Sequence, residues 1–196
     1  MRRSLVLTLL GPDRPGLVEA LAALIARHGG NWLESRMASL AGEFAGILRV
    51  EVNDHEAPAL ESALRSLEAD QGLAILVKSA SARSASDVEE PAGRLLSLEL
   101  VGTDRPGIVR EISQALAAKG VNVEELETEC TSAPMTGETL FRARALLRLP
   151  RGAAEEDLQA SVESIAEDLM VDVTLEPAKT SAAEPNPRVA GPLHRV

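Results

Sequence analysis

The 196-residue chain has no tyrosine, one tryptophan and two phenylalanines, so any core it builds is packed from Leu, Val, Ile and Ala. Its one cysteine, Cys130, excludes an internal disulfide and any paired-cysteine metal or redox motif, and it fits a reducing compartment. Basic charge is also scarce. With 20 Lys and Arg against 30 Asp and Glu, there is no clustered cationic stripe to displace counterions from a phosphate backbone, and direct nucleic-acid binding is not expected. No apolar run is long enough to cross a bilayer. Arg2 and Arg3 precede a short apolar run ending at Leu10 that leads into Gly-Pro-Asp instead of a cleavage site, so it reads as a first strand and not as a secretion signal. A cytoplasmic protein without membrane contact is expected.

What the chain does have is a repeat. Leu9-Leu10-Gly11-Pro12-Asp13-Arg14-Pro15-Gly16-Leu17-Val18 returns 91 positions later as Leu100-Val101-Gly102-Thr103-Asp104-Arg105-Pro106-Gly107-Ile108-Val109. One structural unit is used twice. Before each copy lies an alternating strand, with Leu5, Leu7 and Leu9 in the first and Leu96, Leu98 and Leu100 in the second. After each copy comes an apolar stripe at helical spacing, Leu17, Leu21 and Ile25 or Ile108, Ile112 and Leu116. The stripes stop at Gly29-Gly30-Asn31 and Gly120-Val121-Asn122, where a left-handed glycine ends a helix and an extended run begins. Pro15 and Pro106 suit a first helical turn, and Asp13 and Asp104 sit where a carboxylate can cap free amides.

A hairpin follows. With Ala41-Gly42 as the turn, Leu33 faces Val50, Ser35 faces Leu48, Met37 faces Gly46, Ser39 faces Phe44, and Glu34 meets Arg49 on the other face. In the second copy the turn is longer, around Ala133 to Gly137. There Thr128 is set opposite Phe141, Leu126 opposite Ala143, Glu127 opposite Arg142 and Glu125 opposite Arg144. This register leaves Glu124 on the apolar side, Trp32 on the outer face and Cys130 in the core. A second helix, on Leu60, Leu64 and Leu67 or on Leu158, Val162, Ile165 and Leu169, and a closing strand complete each unit. The fold class is α+β: two ferredoxin-like βαββαβ units, each a four-stranded antiparallel sheet with two helices on one face. Expected boundaries are 1–79 and 94–176, with a Ser/Ala/Glu-rich linker at 80–93 and a Pro/Ala-rich tail at 177–196 that buries too little to be ordered.

A loop running from a strand into a helix N-terminus presents unpaired amides and the positive end of a helix dipole, which suits a carboxylate. An amino acid could place its carboxylate on the amides of Gly16 and Leu17 and its ammonium near Asp13, with Asn31 next door to serve either group. The candidate ligand residues are Asp13, Arg14, Pro15, Gly16, Leu17 and Asn31, with Asp104, Arg105, Pro106, Gly107, Ile108 and Asn122 in the second copy. The alternative is that these residues only cap, start and pack their helices.

Gly-Pro-Asp-Arg-Pro-Gly-Leu-Val followed by a helix ending in Gly-Gly-Asn, on a βαββαβ pattern, resembles the ACT domain, a regulatory module that binds amino acids. Two such modules with almost nothing else attached resemble the glycine cleavage system transcriptional repressor family. The resemblance implies no catalytic residue and no cofactor, glycine or serine as ligand, and a protein partner such as a LysR-type transcriptional activator whose contact glycine weakens. Since such sheet edges tend to be paired, the two modules are expected to pack together or the chain to form a homodimer. Thr103 in place of Pro12 and Val121 in place of Gly30 depart from the first copy, so the two sites need not be equivalent.

Other readings have less behind them. A stand-alone regulatory subunit of an amino-acid metabolic enzyme shares the same features. An acylphosphatase-like hydrolase would use Arg14 and Asn31 but lacks a glycine-rich phosphate cradle. RNA recognition on this topology needs exposed aromatics, whereas Phe44 and Phe141 fall on the helix-covered face. His28, His55 and His194 show no metal-ligand spacing.

Overall fold

The computed structural model describes residues 1–79, 93–132 and 137–178. All of the expected linker except Gly93, nearly all of the tail and most of the second hairpin turn lie outside those residues. The chain divides into two compact units, Met1–Val88 and Glu89–Val196. The first contains β1 (Arg2–Pro12), α1 (Leu17–Arg27), β2 (Asn31–Leu40), β3 (Glu43–Asn53), α2 (Ala57–Gln71) and β4 (Ala74–Ser79). The second contains β5 (Gly93–Thr103), α3 (Ile108–Ala118), β6 (Asn122–Ser132), β7 (Thr139–Pro150), α4 (Glu155–Leu169) and β8 (Val171–Pro177). Each forms a four-stranded antiparallel sheet, in the orders β2-β3-β1-β4 and β6-β7-β5-β8. This is the expected double ferredoxin-like architecture.

Alternation decides which face is covered. Leu5, Leu7 and Leu9 are fully buried in one core with Leu21, Ile25, Leu48, Leu60 and Leu64. Leu96, Leu98 and Leu100 do the same in the other, with Ile112, Leu116, Leu147, Leu158 and Val162. Each such leucine contributes about 1.5–3 kcal/mol of transfer free energy. Both first helices end as expected. Gly29 and Gly120 have φ of 63° and 68°. Their N–H groups donate to Ala26 and Ala117, and the next residues, Gly30 and Val121, donate to Ile25 and Leu116, all at 2.9–3.0 Å. That is the paired 6→1 and 5→2 closure of a Schellman motif.

Gly11 and Gly102 serve packing. A Cβ on Gly11 would stand 2.8 Å from Leu73 Cδ2 and 2.9 Å from the Gly72 carbonyl, and one on Gly102 would run into Val171. The chain leaving the second helix therefore passes directly over this glycine before becoming the last strand.

The first hairpin turns at Ala41-Gly42, both with positive φ, and keeps the expected pairs Ser35–Leu48, Met37–Gly46, Ser39–Phe44 and Glu34–Arg49. One pair is corrected. A bulge between Trp32 and Glu34 makes Leu33 the extra residue, so Trp32 is the one opposite Val50. Trp32 is turned from the expected outer face onto the core. The same bulge recurs 91 positions later between Val123 and Glu125, with Glu124 as the extra residue. Bulges double one residue against one partner and reverse the alternation beyond them. Glu124 is thereby taken off the apolar face and forms a half-buried pair with Arg148, Oε1 to Nε 2.9 Å.

The register of the second hairpin is corrected by two residues. Thr128 faces Ala143, Leu126 faces Ala145, Glu127 faces Arg144 and Glu129 faces Arg142. A slip of two preserves which face each side chain is on. Cys130, opposite Phe141, is on the helix-covered side but exposed, not a core residue.

The open faces of both sheets carry ion pairs, Glu34 with Arg49 at 3.0 Å among those of the first unit. In the first unit Leu10, Ile47 and Leu76 stand there, each about half exposed. In the second, Arg144 meets Glu99 at 3.2 Å and Arg142 meets Glu129 at 3.9 Å.

Candidate functional site

The repeated loop makes the same turn in both units, but not by the expected capping. Gly16 and Gly107 occupy the N-cap positions of α1 and α3 with φ of 91° and 105°, and no side chain caps either helix. Pro15 and Pro106 precede the cap instead of opening the first turn. The expected aspartate caps are also corrected. Asp13 turns to the end of β2, where Ser39 Oγ donates to its Oδ2 at 2.6 Å. In the equivalent place the Cys130 thiol lies within reach of the Asp104 charge. Backbone bonds complete the anchorage: the Asp13 N–H donates to the Gly42 carbonyl and the Asp104 N–H to the Thr139 carbonyl, both at 2.8 Å. Nothing in the residue types at 39 and 130 marks them as partners of the loop. The repeat offset does, because it carries the Asp13–Ser39 separation onto Asp104–Cys130.

Partial loss of hydration and then the Asp104 charge push the Cys130 thiol up from its ordinary range. It is held protonated beside the loop.

Intrahelical bonding starts only at Ala20, whose N–H donates to Gly16, and at Glu111, whose N–H donates to Gly107. The amides of the first turns, Leu17 and Ile108 included, thus precede the helical ladder, as at any helix N-terminus. In the first unit they border an open depression of about 500 Å³, lined by Asp13, Arg14, Gly16, Leu17, Val18, Glu19, Ala22 and Phe44. Two carboxylates, Asp13 and Glu19, thus stand on the rim of a site whose floor carries the positive helix end. That combination matches the two charges of an amino acid.

The arginines have other duties. Arg105 Nη2 donates to the Asp168 carbonyl at 3.0 Å, in the last turn of α4, where a cation is favoured by the helix dipole. Arg14 lies likewise by the C-terminal end of α2, its guanidinium 3.9 Å from where a Cβ on Gly72 would stand.

Asn31 and Asn122 do not join the loop of their own unit. Asn31 pairs with Glu51, itself opposite Ser4 at the start of β1, and Asn122 pairs with Arg148. The strand order makes β2 run parallel to β1, so its first residue lies roughly 30 Å along the strand from the loop, at about 3.3 Å per residue. The same separation keeps Arg14 and Asn31 from sharing one substrate, as a hydrolase would need. Phe141 is buried, as expected, and Phe44 shares its face. No group of three or more metal-ligating side chains and no helix long and apolar enough to cross a membrane occurs among the described residues.

The ACT domain family matches this chain twice, over residues 3–78 and 96–163. The glycine cleavage system transcriptional repressor of Escherichia coli (strain K12) is 24% identical over 165 residues, which span 84% of this chain and 85% of that protein. A protein of unknown function from Galdieria sulphuraria has a crystal structure that superposes with a TM-score of 0.76 at 33% identity, covering 91% of this chain and all of that one. The crystal structure of a candidate glycine cleavage system transcriptional repressor superposes with a TM-score of 0.67 at 20% identity, covering 92% and 99% of the two chains.

Proposed function

This chain belongs to the ACT-domain family through both of its units, and from that premise we propose that it is an amino-acid-responsive regulator that works by protein contact. Glycine or serine binds at the repeated loop, its carboxylate on the amides of Gly16 and Leu17 or of Gly107 and Ile108 and its ammonium toward Asp13 or Asp104. Occupancy alters the contact with a protein partner. The curated relative named above is a repressor of glycine cleavage genes, which favours glycine as the signal and a LysR-type transcriptional activator as the partner, in the cytoplasm.

The observation that carries this reading is the uncapped first turn in both units. Had Asp13 or Asp104 folded back onto its own helix, the amides would be occupied. The pinning of Asp13 by Ser39 holds the carboxylate aside and leaves them open. Asn31 and Asn122 complete a site only with a strand from outside their own unit, and we take that strand from another copy of the chain. If β2 or β6, each outermost in its sheet, pairs antiparallel with its equivalent in a second chain, the first residue of one strand comes beside the loop at the end of the other. This accounts for a role of both asparagines in a homodimer.

Calorimetric titration of the full chain with glycine and serine tests the proposal, together with retention of the activator on the immobilised protein with and without glycine. Binding at micromolar to millimolar Kd and a glycine-dependent change in retention are expected. No heat from either amino acid, or retention indifferent to glycine, refutes it.

A further inference from the structure

The two units have diverged at one place in their cores. In the second unit an apolar cavity lies between α3 and the edge strand β6, walled by Ile108, Val109, Ile112, Val123, Leu126, Phe141, Ala143 and Ala145 among others. About 30 Å³ of it is open to the centre of a water-sized sphere. At roughly 10–15 Å³ per water on that measure, this holds two or three non-hydrogen atoms. Its lining is almost wholly apolar, so it offers a water nothing to bond and stays dry.

The first unit fills the corresponding space. Trp32 stands where the second unit has Val123, and Leu48, 1% exposed, where it has Ala145. Met37 lies over Gly46, its Cγ 2.9 Å from where a Cβ would stand, while the matching pair in the second unit is Thr128 and Ala143. Trp32 and Leu48 of the first unit have become the smaller Val123 and Ala145, while Leu126, facing Ala145 where Ser35 faces Leu48, makes up only part of the lost volume and leaves the cavity beside it. Val109, Val123 and Leu126, at its mouth, are exposed.

One feature places this cavity next to the proposed ligand loop. Ile108, whose amide opens α3 directly after Gly107, forms part of the cavity wall.

We propose that the cavity between α3 and β6 is a side-chain pocket, and that the second unit selects an amino acid with a small branched aliphatic side chain, valine before leucine or isoleucine. This rests on the reading that the ligand's carboxylate meets the loop at Gly107 and Ile108. The isopropyl group of valine has three carbons, at the upper end of the two or three atoms the cavity holds. The first unit, with the space occupied by Trp32, Met37 and Leu48, is left to the smallest amino acids.

The test is calorimetry on the full chain with glycine, serine, valine and leucine, beside methyl NMR of protein labelled at alanine Cβ. Valine is expected to bind about tenfold or more tighter than glycine at one site per chain, as an apolar group gains on entering a matching pocket, and to shift the Ala143 and Ala145 methyl signals where glycine does not. Ala145→Leu, which rebuilds the first unit's filling, should weaken valine at least about tenfold and leave glycine within twofold. Val123→Ile, a milder filling, should weaken valine by a smaller factor and keeps the test alive if Ala145→Leu does not fold. If glycine or serine binds and valine binds no tighter, or valine leaves the alanine methyls unmoved, the pocket is refuted while amino-acid sensing stands. If none of the four binds, both fall together.

Discussion

Substituting Gly102 with alanine separates the packing role of the repeated motif from its ligand role. The added Cβ would overlap the Cγ1 of Val171 and stand 2.9 Å from its Cβ and 3.0 Å from its Cα. The last of these is backbone, so the clash cannot be relieved by turning a side chain. Overpacking of this kind costs about 1–3 kcal/mol. Replacing glycine also stiffens the unfolded chain, which returns about 0.4–1 kcal/mol. The net loss expected for Gly102→Ala is about 1–2 kcal/mol, confined to the second unit. The assay follows from the composition: Trp32 is the only tryptophan and packs on the first unit's core. Its fluorescence reports the first unit's unfolding, and circular dichroism reports both. In urea, with a slope of about 1 kcal/mol/M for a small domain, the dichroism should gain an early transition displaced by about 1–2 M while the fluorescence midpoint holds. Val171→Ala in the same chain removes Cγ1, the nearest obstruction, and leaves Cβ and Cα in place, so the double variant should lose less than the sum of the singles by a measurable margin. Additive losses, or a Gly102→Ala chain as stable as the parent, would refute the packing explanation for this glycine.

Four further outcomes follow. Asp13→Ala removes the acceptor of Ser39 Oγ and a charged hydrogen bond of about 1.5–3 kcal/mol; glycine affinity at the first site, read by calorimetry, should fall about tenfold or more. Met170 closes α4 with φ 52° where Gly72 closes α2, and it is 80% exposed, so Met170→Gly should be neutral or stabilising by up to about 1 kcal/mol in chemical denaturation. Glu124→Ala breaks a half-buried pair and should cost about 1–3 kcal/mol, whereas Glu99→Ala breaks an exposed one and should cost under about 0.5 kcal/mol. Because the Asp104 charge helps hold the Cys130 thiol above its usual range, Asp104→Asn should lower that value, raise the thiolate fraction and speed alkylation at pH 8; an unchanged rate contradicts it.

Strand faces and the closing glycines of the first helices were legible because they rest on local rules. The alternation of Leu5, Leu7 and Leu9 gives a buried face whatever the partner, and Gly29 with Gly30 closes a helix wherever the helix goes. Errors entered where a long-range fact intervenes. Strict alternation through Asn31 to Leu40 puts Trp32 outside. The bulge at Leu33 reverses that, and no residue type announces it, although Glu124 at an apolar position was its trace in the second copy. The second hairpin slipped by two because charge pairs repeat every second residue and fit either register. Asn31 was set beside the loop because it follows the first helix in sequence. The strand order sends it to the far end of the sheet, and neither composition nor spacing reveals strand order. For the same reason Asp13 looked like a cap until the end of β2 supplied Ser39.

The tie between each loop and the last residues of its outermost strand, Ser39 to Asp13 and Cys130 to Asp104, joins two things the protein offers to its surroundings. One is the loop where we propose a metabolite sits and the other is the outermost strand of the sheet. A metabolite bound as proposed would tug on that margin. Reciprocity then requires that whatever grips the margin change the loop's hold on its metabolite by the same factor, so the strength of the signal can be measured from either end of that short tether.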